Sequence, residues 1–219
     1  MIGGLFVAQV NPILYLDPGH AFGLENRTNP FITQNFTLID QYRLTEIDLA
    51  PFTCIVVHDF ADQEHLYRNK AIIEEFLAEG KVVIFCGHLF KEWLPGCPIF
   101  TPRTIQSHTD YEVINDRQHP IFAGVNLDDM TFNKGIAGFF ARVTHSPVPK
   151  GAEVLLTFPD KMPITYIDHC STNGTILCHA GRDLFGLRMQ NRSTDRISVQ
   201  LLQWIHDEYA QLQKGGNNL

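Results

Sequence analysis

Residues 81–88, KVVIFCGH, restrict the fold more than any other stretch of this chain. The apolar part, Val82 to Cys86, is too short for a helix and lacks the polar alternation of a strand with one wet face. That pattern suits a central strand covered on both faces. The run breaks at Gly87. In an open parallel sheet, ligands and catalytic groups gather just beyond the carboxyl ends of the strands, so Cys86 and His88 stand where chemistry would be.

Other runs supply the partners of this strand. Residues 12–16 read as a first inner strand, stopped by the turn cluster Asp17-Pro18-Gly19-His20. Residues 21–35 read as a long polar loop, residues 36–39 as a second strand, and residues 54–57 as a third buried strand that ends in His58 and Asp59. Asp62 can cap a following helix, Glu64 suits its first turn, and Leu66, Ile73, Phe76 and Leu77 share one face before Gly80 ends it. Strand, helix and strand make a βαβ unit, whose right-handed crossover predicts parallel strands. The strand at residues 82–86 is expected between those of Leu14 and Val56.

The second half changes character. Residues 111–114, 139–143, 153–158, 163–168 and 175–179 read as strands separated by Pro and Gly turns, and Asn173-Gly174 predicts a type I′ hairpin between the last two. Antiparallel pairing is therefore expected late in the sheet. Ile197, Leu201, Ile205 and Tyr209 form one stripe of a final helix over residues 195–212, with residues 215–219 as a flexible tail.

Composition bounds the function. The 219 residues are 44% hydrophobic and 19% charged, enough for one large core, and residues 1–214 are expected to form a single domain. A formal charge of -7 without a Lys or Arg run disfavours a nucleic-acid or anionic-membrane surface. The apolar start, MIGGLFVAQV, has no basic residue before Arg27 and reads as structure rather than a signal peptide. No stretch approaches the roughly 20 apolar residues of a membrane helix. Five cysteines, an odd number with no CxxC pair, suit reduced thiols in a cytoplasm, and no histidine spacing calls for structural zinc or another cofactor.

Taken together, GKVVIFCGH after a long helix, DYEVINDRQHPIFAGV, and a strand-rich half with PITYI, NGTILCHAG and a terminal QLLQWI helix resemble the class I glutamine amidotransferase-like superfamily, especially its ThuA-like branch. His119-Pro120 with Gly124 matches a recurrent HPI-x-x-G segment. The resemblance implies a flavodoxin-like three-layer sandwich with a mostly parallel central sheet and antiparallel late strands. It also places a nucleophile, where one is retained, at the turn after Cys86. Glutamine-hydrolysing relatives carry a G-x-C-x-G elbow and a later H-x-E pair; here the elbow is Phe85-Cys86-Gly87-His88, and no H-x-E follows.

Three readings of the site result. Cys86 at a strand-end elbow can become a thiolate if amide N–H groups and the His88 imidazole stabilise it, with His179 as base and Asp183 orienting its ring. The plainer reading makes Cys86 a packing residue. Asp17, His20, His58 and Asp59 follow two other strands and converge on the same edge, forming a ligand-binding cleft; Asp17, His20, Asp59 and His88 could instead serve a metal-assisted enzyme. His119 is assigned a structural role beside Pro120, and Asp168-His169 a solvated turn. The leading expectation is a ligand-binding or accessory subunit without glutaminase activity, meeting a small molecule or a protein partner and open to oligomer formation. A Cys86-dependent hydrolase or amidotransferase is the alternative.

Overall fold

The computed structural model describes residues 12–133, 135–138, 140–188 and 191–216. The readings of residues 1–10, of Phe139 and of residues 217–219 lie outside them. The strands are β1 Ile13–Asp17, β2 Thr37–Asp40, β3 Cys54–Val57, β4 Val82–Cys86, β5 Thr101–Pro102 and β6 Ile114–Asn115. They continue as β7 Phe132–Asn133, β8 Ile136–Ala137, β9 Val143–Thr144, β10 Glu153–Thr157, β11 Pro163–Asp168 and β12 Thr175–His179. Eight of them form one sheet in the order β2-β1-β3-β4-β12-β11-β10-β6. Pairings from β2 to β12 are parallel, and those from β12 to β6 antiparallel.

The expected position of β4 needs one correction. It runs between β3 and β12, not beside β1, which pairs with β2 and β3. The last strand of the chain returns to the centre of the sheet and joins the parallel half to the antiparallel half. Every residue of β1, β3, β4 and β12 is buried, which explains their uninterrupted apolar runs.

Among the described residues six helices accompany the sheet: α1 Leu24–Thr28, α2 Pro30–Asn35, α3 Gln63–Arg68, α4 Lys70–Ala78, α5 Leu127–Thr131 and α6 Asp195–Gly216. One face of the sheet, with Ile13, Val56, Ile84 and Leu177, packs against Ile197, Leu201 and Ile205 of α6. The opposite face, with Leu14, Val57, Phe85 and Ile176, packs against Leu66 of α3 and Ile73 and Phe76 of α4. The result is a three-layer α/β sandwich with antiparallel late strands. Burying a side chain such as Ile84 is worth about 1.5–3 kcal/mol, so the two apolar layers supply the main cohesion.

Local differences from the sequence reading have local causes. Residues 21–35 contain α1 and α2 rather than a loop; Pro30 sits in the first turn of α2, and the Asn29 side chain accepts from the Phe31 amide at its cap. The helix after Asp62 is two helices, because Asn69 leaves helical geometry at φ -113 and ψ 21. Residues 108–111 form a 3-10 turn closed by a Ser107–Asp110 capping box. Over residues 140–143, where a strand is expected, Ala141 makes one bridge to Gly181 and β9 begins at Val143. α6 includes Gly215 and Gly216, so the helix reaches into the expected tail.

Asn173-Gly174 does not make a type I′ turn, since neither residue has positive φ. Buried Asp168 instead accepts from the amides of Cys170 and Ser171 and organises a longer connection, which also corrects its reading as a solvated residue. Gly174 serves close packing: a Cβ there would lie 2.2 Å from the Lys81 carbonyl oxygen.

Candidate functional site

The carboxyl ends of β1, β3, β4 and β12 share one edge of the sheet, as parallel pairing requires. A cleft of about 360 Å³ opens there, lined by Asp59, Phe60, Gly87, His88, Phe90, Gly138, Phe140, Ala141, Arg142, Gly181 and Arg182. Larger and more open hollows lie elsewhere, near His169 and Glu208 and beside Trp204, but not at the strand carboxyl ends.

Two glycines form the floor. Gly87 has φ +135, and a Cβ on it would meet the Asp59 backbone at 3.0 Å; its N–H donates to the His179 carbonyl at 2.9 Å. A Cβ on Gly181 would meet the Phe140 carbonyl oxygen at 1.9 Å and His179 Nε2 at 2.7 Å. Main chain therefore closes over β4 and β12 at both positions.

The polar wall centres on Asp59. Its Oδ2 lies 2.9 Å from Arg182 Nε, and its Oδ1 lies 2.8 Å from His58 Nδ1. The same His58 nitrogen is 3.1 Å from the Phe60 amide, so two contacts compete for one nitrogen. Unprotonated Nδ1 accepts the Phe60 N–H; a proton on Nδ1 would give up that contact and pair with Asp59 Oδ1, which otherwise has no donor among the described residues. Burial lowers the His58 pKa, but the hydrogen bond to Asp59 and the charges of Asp183 and Asp59 outweigh it, and the net shift is upward. His88 shifts downward because it is partly buried, with Asp59 opposing the effect, and is neutral at neutral pH. Its ring stacks on Phe100 at 5.5 Å. Arg142 is exposed at the rim, its Nε donating to the Gly138 carbonyl at 2.9 Å.

The other residues singled out from the sequence fall below or beside the cleft. Cys86 and His179 are register partners on β4 and β12, and both are fully buried. Burial first, then Asp183, pushes the Cys86 thiol well up, against a favourable Leu184 amide. His179 Nδ1 pairs with Thr165 Oγ1 at 2.8 Å, and burial drives the ring down to about 3. Asp183 does not orient His179: it accepts from the Tyr15 hydroxyl and from the Phe185 amide. Asn26 donates to the same Tyr15 oxygen at 3.0 Å, forming a buried polar knot under β1. Asp17 pairs with Arg27 and accepts from the Gly19 amide, while His20 Nε2 lies 3.3 Å from the Phe60 carbonyl oxygen.

Asp59 and His88 thus line the cleft, His58 stands behind it, and Asp17, His20 and Asp183 have other immediate partners. Arg142, Arg182 and Tyr15 carry parts of this edge that the sequence reading did not assign to it. Tyr15 was legible as the polar tip in an otherwise aliphatic strand, whereas nothing local marks Arg142.

Among the described residues, a group of three or more His, Cys, Asp or Glu side chains with metal-ligand spacing occurs at Cys97, His145 and Cys178. Asp17, His20, Asp59 and His88 do not form such a group. Among the same residues, no helix is long and apolar enough to cross a membrane.

No family model matches the sequence, and no curated protein matches it. Solved structures resemble its shape at low identity. The cytoplasmic protein STM1381 from Salmonella typhimurium LT2 has a TM-score of 0.44 at 13% identity over 78% of this chain and 81% of its own. The mmIFT52 N-terminal domain has a TM-score of 0.49 at 11% identity over 88% of this chain and 96% of its own. For the exo-beta-1,4-mannosidase Op5Man5 from Opitutaceae bacterium strain TAV5 the TM-score is 0.44 at 11% identity over 90% of this chain, which spans only 36% of the mannosidase.

Proposed function

We propose that this chain is a non-canonical amidotransferase-like protein of the cytoplasm, a small-molecule-binding or accessory subunit without glutaminase activity, and that its edge cleft takes a small carboxylate. The observation that carries the reading is the division between an open, locally cationic cleft and a sealed thiol beneath it. Asp59 is paired with Arg182 at 2.9 Å, which leaves the Arg142 guanidinium to set the charge of the rim in a chain whose formal charge is -7. Phe60, Phe90 and Phe140 supply apolar walls for the remainder of the ligand. A guanidinium suits a carboxylate because its N–H groups match two oxygens at once.

The binding reading is favoured over thiol catalysis by the state of the would-be nucleophile. Amide cleavage needs a thiolate in contact with substrate and donors aimed at the developing oxyanion. Cys86 is closed off from the cleft, and its pKa moves away from thiolate formation. His179, the expected base, is held by Thr165.

Calorimetric titration with small mono- and dicarboxylates tests the proposal. Saturable binding that weakens about tenfold or more in Arg142→Ala, equivalent to about 1.4 kcal/mol, is the expected result. Absence of carboxylate binding would overturn the ligand class. Ammonia release from glutamine that disappears in Cys86→Ala would overturn the non-enzymatic reading.

A further inference from the structure

On the sheet face opposite Cys86, the sulfurs of Cys97 and Cys178 lie 3.4 Å apart, and Cys178 Sγ is 3.0 Å from His145 Nδ1. All three residues are buried. We propose that Cys97 and Cys178 are an oxidisable dithiol, with His145 as the positioning residue for the Cys178 sulfur, and that a hydroperoxide converts the pair to a disulfide.

The histidine's hydrogen bonds distinguish this from a metal site. Two thiolates and an imidazole could hold zinc or copper(I). A metal bound through Nδ1 requires that nitrogen's lone pair, and the ring then normally donates its Nε2–H to an acceptor. Here Nε2 faces a donor, the Leu89 amide, at 3.1 Å. In the neutral ring Nε2 accepts, so Nδ1 carries the proton and points it at Cys178. Metal binding would set two N–H groups against each other; the dithiol satisfies both ring nitrogens.

Bond formation needs the sulfurs to close by about 1.4 Å to the disulfide length. Cys178 is fixed in the middle of the sheet, whereas Cys97 belongs to the irregular segment between β4 and β5, which can supply the movement. Cys97 is also the more accessible of the two, 7% exposed against 0%. That accessibility assigns first attack to Cys97. The Cys97 thiolate attacks a peroxide oxygen, the O–O bond breaks, and the protonated leaving oxygen departs as alcohol or water, giving a sulfenic acid. Cys178 then attacks that sulfur as thiolate, stabilised by the His145 N–H. The S–S bond forms as the S–O bond breaks, and hydroxide takes up the released thiol proton to leave as water. Two thiols lose two electrons, and one peroxide gains them.

The test uses the full chain in a Cys170→Ser background, which removes the exposed cysteine. Hydrogen peroxide should consume two of the remaining thiols reversibly, and peptide mapping should find Cys97 joined to Cys178. The cross-link should raise Tm by several degrees, because it closes a loop between residues 81 apart. Cys97→Ser and Cys178→Ser should each abolish the link, and Cys86→Ser should leave it intact. A different pairing, or oxidation to sulfinic acid without a bond, would overturn the proposal. So would stoichiometric zinc or copper in the purified reduced protein that is lost in Cys97→Ser. Mapping of the Cys170→Ser protein decides the matter even if a further serine variant does not fold.

Discussion

Cys86 and Cys178 lie on neighbouring strands, one register step apart, and both are fully buried, yet their sulfurs face opposite layers. Cys86 packs toward α6 with two carboxylates, Asp183 and Asp59, acting against its ionisation. Cys178 meets a second thiol and an imidazole N–H. Burial raises both thiols, helped by Asp183 at Cys86 and by Cys97 at Cys178, so ease of ionisation does not separate them; the chemistry of the neighbouring groups does. The cysteine that looked catalytic lies near carboxylates, whereas the one that did not lies against a thiol and an imidazole.

The most severe way to probe this contrast is Cys86→Asp. A carboxylate there would be buried near two others, and an unpaired buried charge costs about 3–5 kcal/mol, a large part of an ordinary stability of about 5–15. Urea unfolding should show either that loss or no folded protein. Serine replacements sharpen the comparison at smaller cost. Cys178→Ser keeps an acceptor for His145 and should lose about 1 kcal/mol, whereas Cys86→Ser should lose about 1–3 for a poorly satisfied hydroxyl. Equal losses would erase the distinction between the two faces.

Acid should act on both faces at once. His179 and His145 are driven by burial to about 3 and about 4, below the unfolded value of about 6.5. The unfolded chain therefore binds protons first as pH falls, and each ring's full stabilising contribution, present above about 6.5, is progressively lost toward its folded pKa. Between about pH 6 and 4.5 each should remove about 1.4 kcal/mol per pH unit. His58, shifted upward, has the opposite sign: its contribution is full below the unfolded pKa and is lost as pH rises through the folded one. Urea melts across this range should show a shallower acid slope in His145→Gln than in the parent. An unchanged slope would mean that His145 is not held neutral. The smallest effect belongs to exposed Cys170, where Cys170→Ser should alter stability by no more than about 0.5 kcal/mol while removing the fastest thiol from alkylation of the native protein.

The sequence revealed the buried strands because a strand covered on both faces leaves an uninterrupted apolar run, as in Cys54–Val57 and Val82–Cys86. It did not reveal that β12 enters between β4 and β11, since TILCH satisfies either a parallel or an antiparallel neighbour. The edge residues Asp17, His58, Asp59 and His88 were legible from strand ends alone. Their partners were not: Arg182 on Asp59 and Tyr15 on Asp183 depend on distant segments. The Cys97, His145 and Cys178 group was hidden for the same reason, because each residue sits in an ordinary local context and only tertiary folding assembles them.

Gly87 and Gly181 set a rule for variation in this cleft. Any side chain at either floor position collides with main chain, including Asp59 beneath one and Phe140 beneath the other. If the cleft binds the proposed carboxylate, variants for a different ligand would have to change the rim, at positions such as Phe90 and Arg142, while inheriting the same bare floor. Selection can redraw the walls, but at these two points only bare backbone fits.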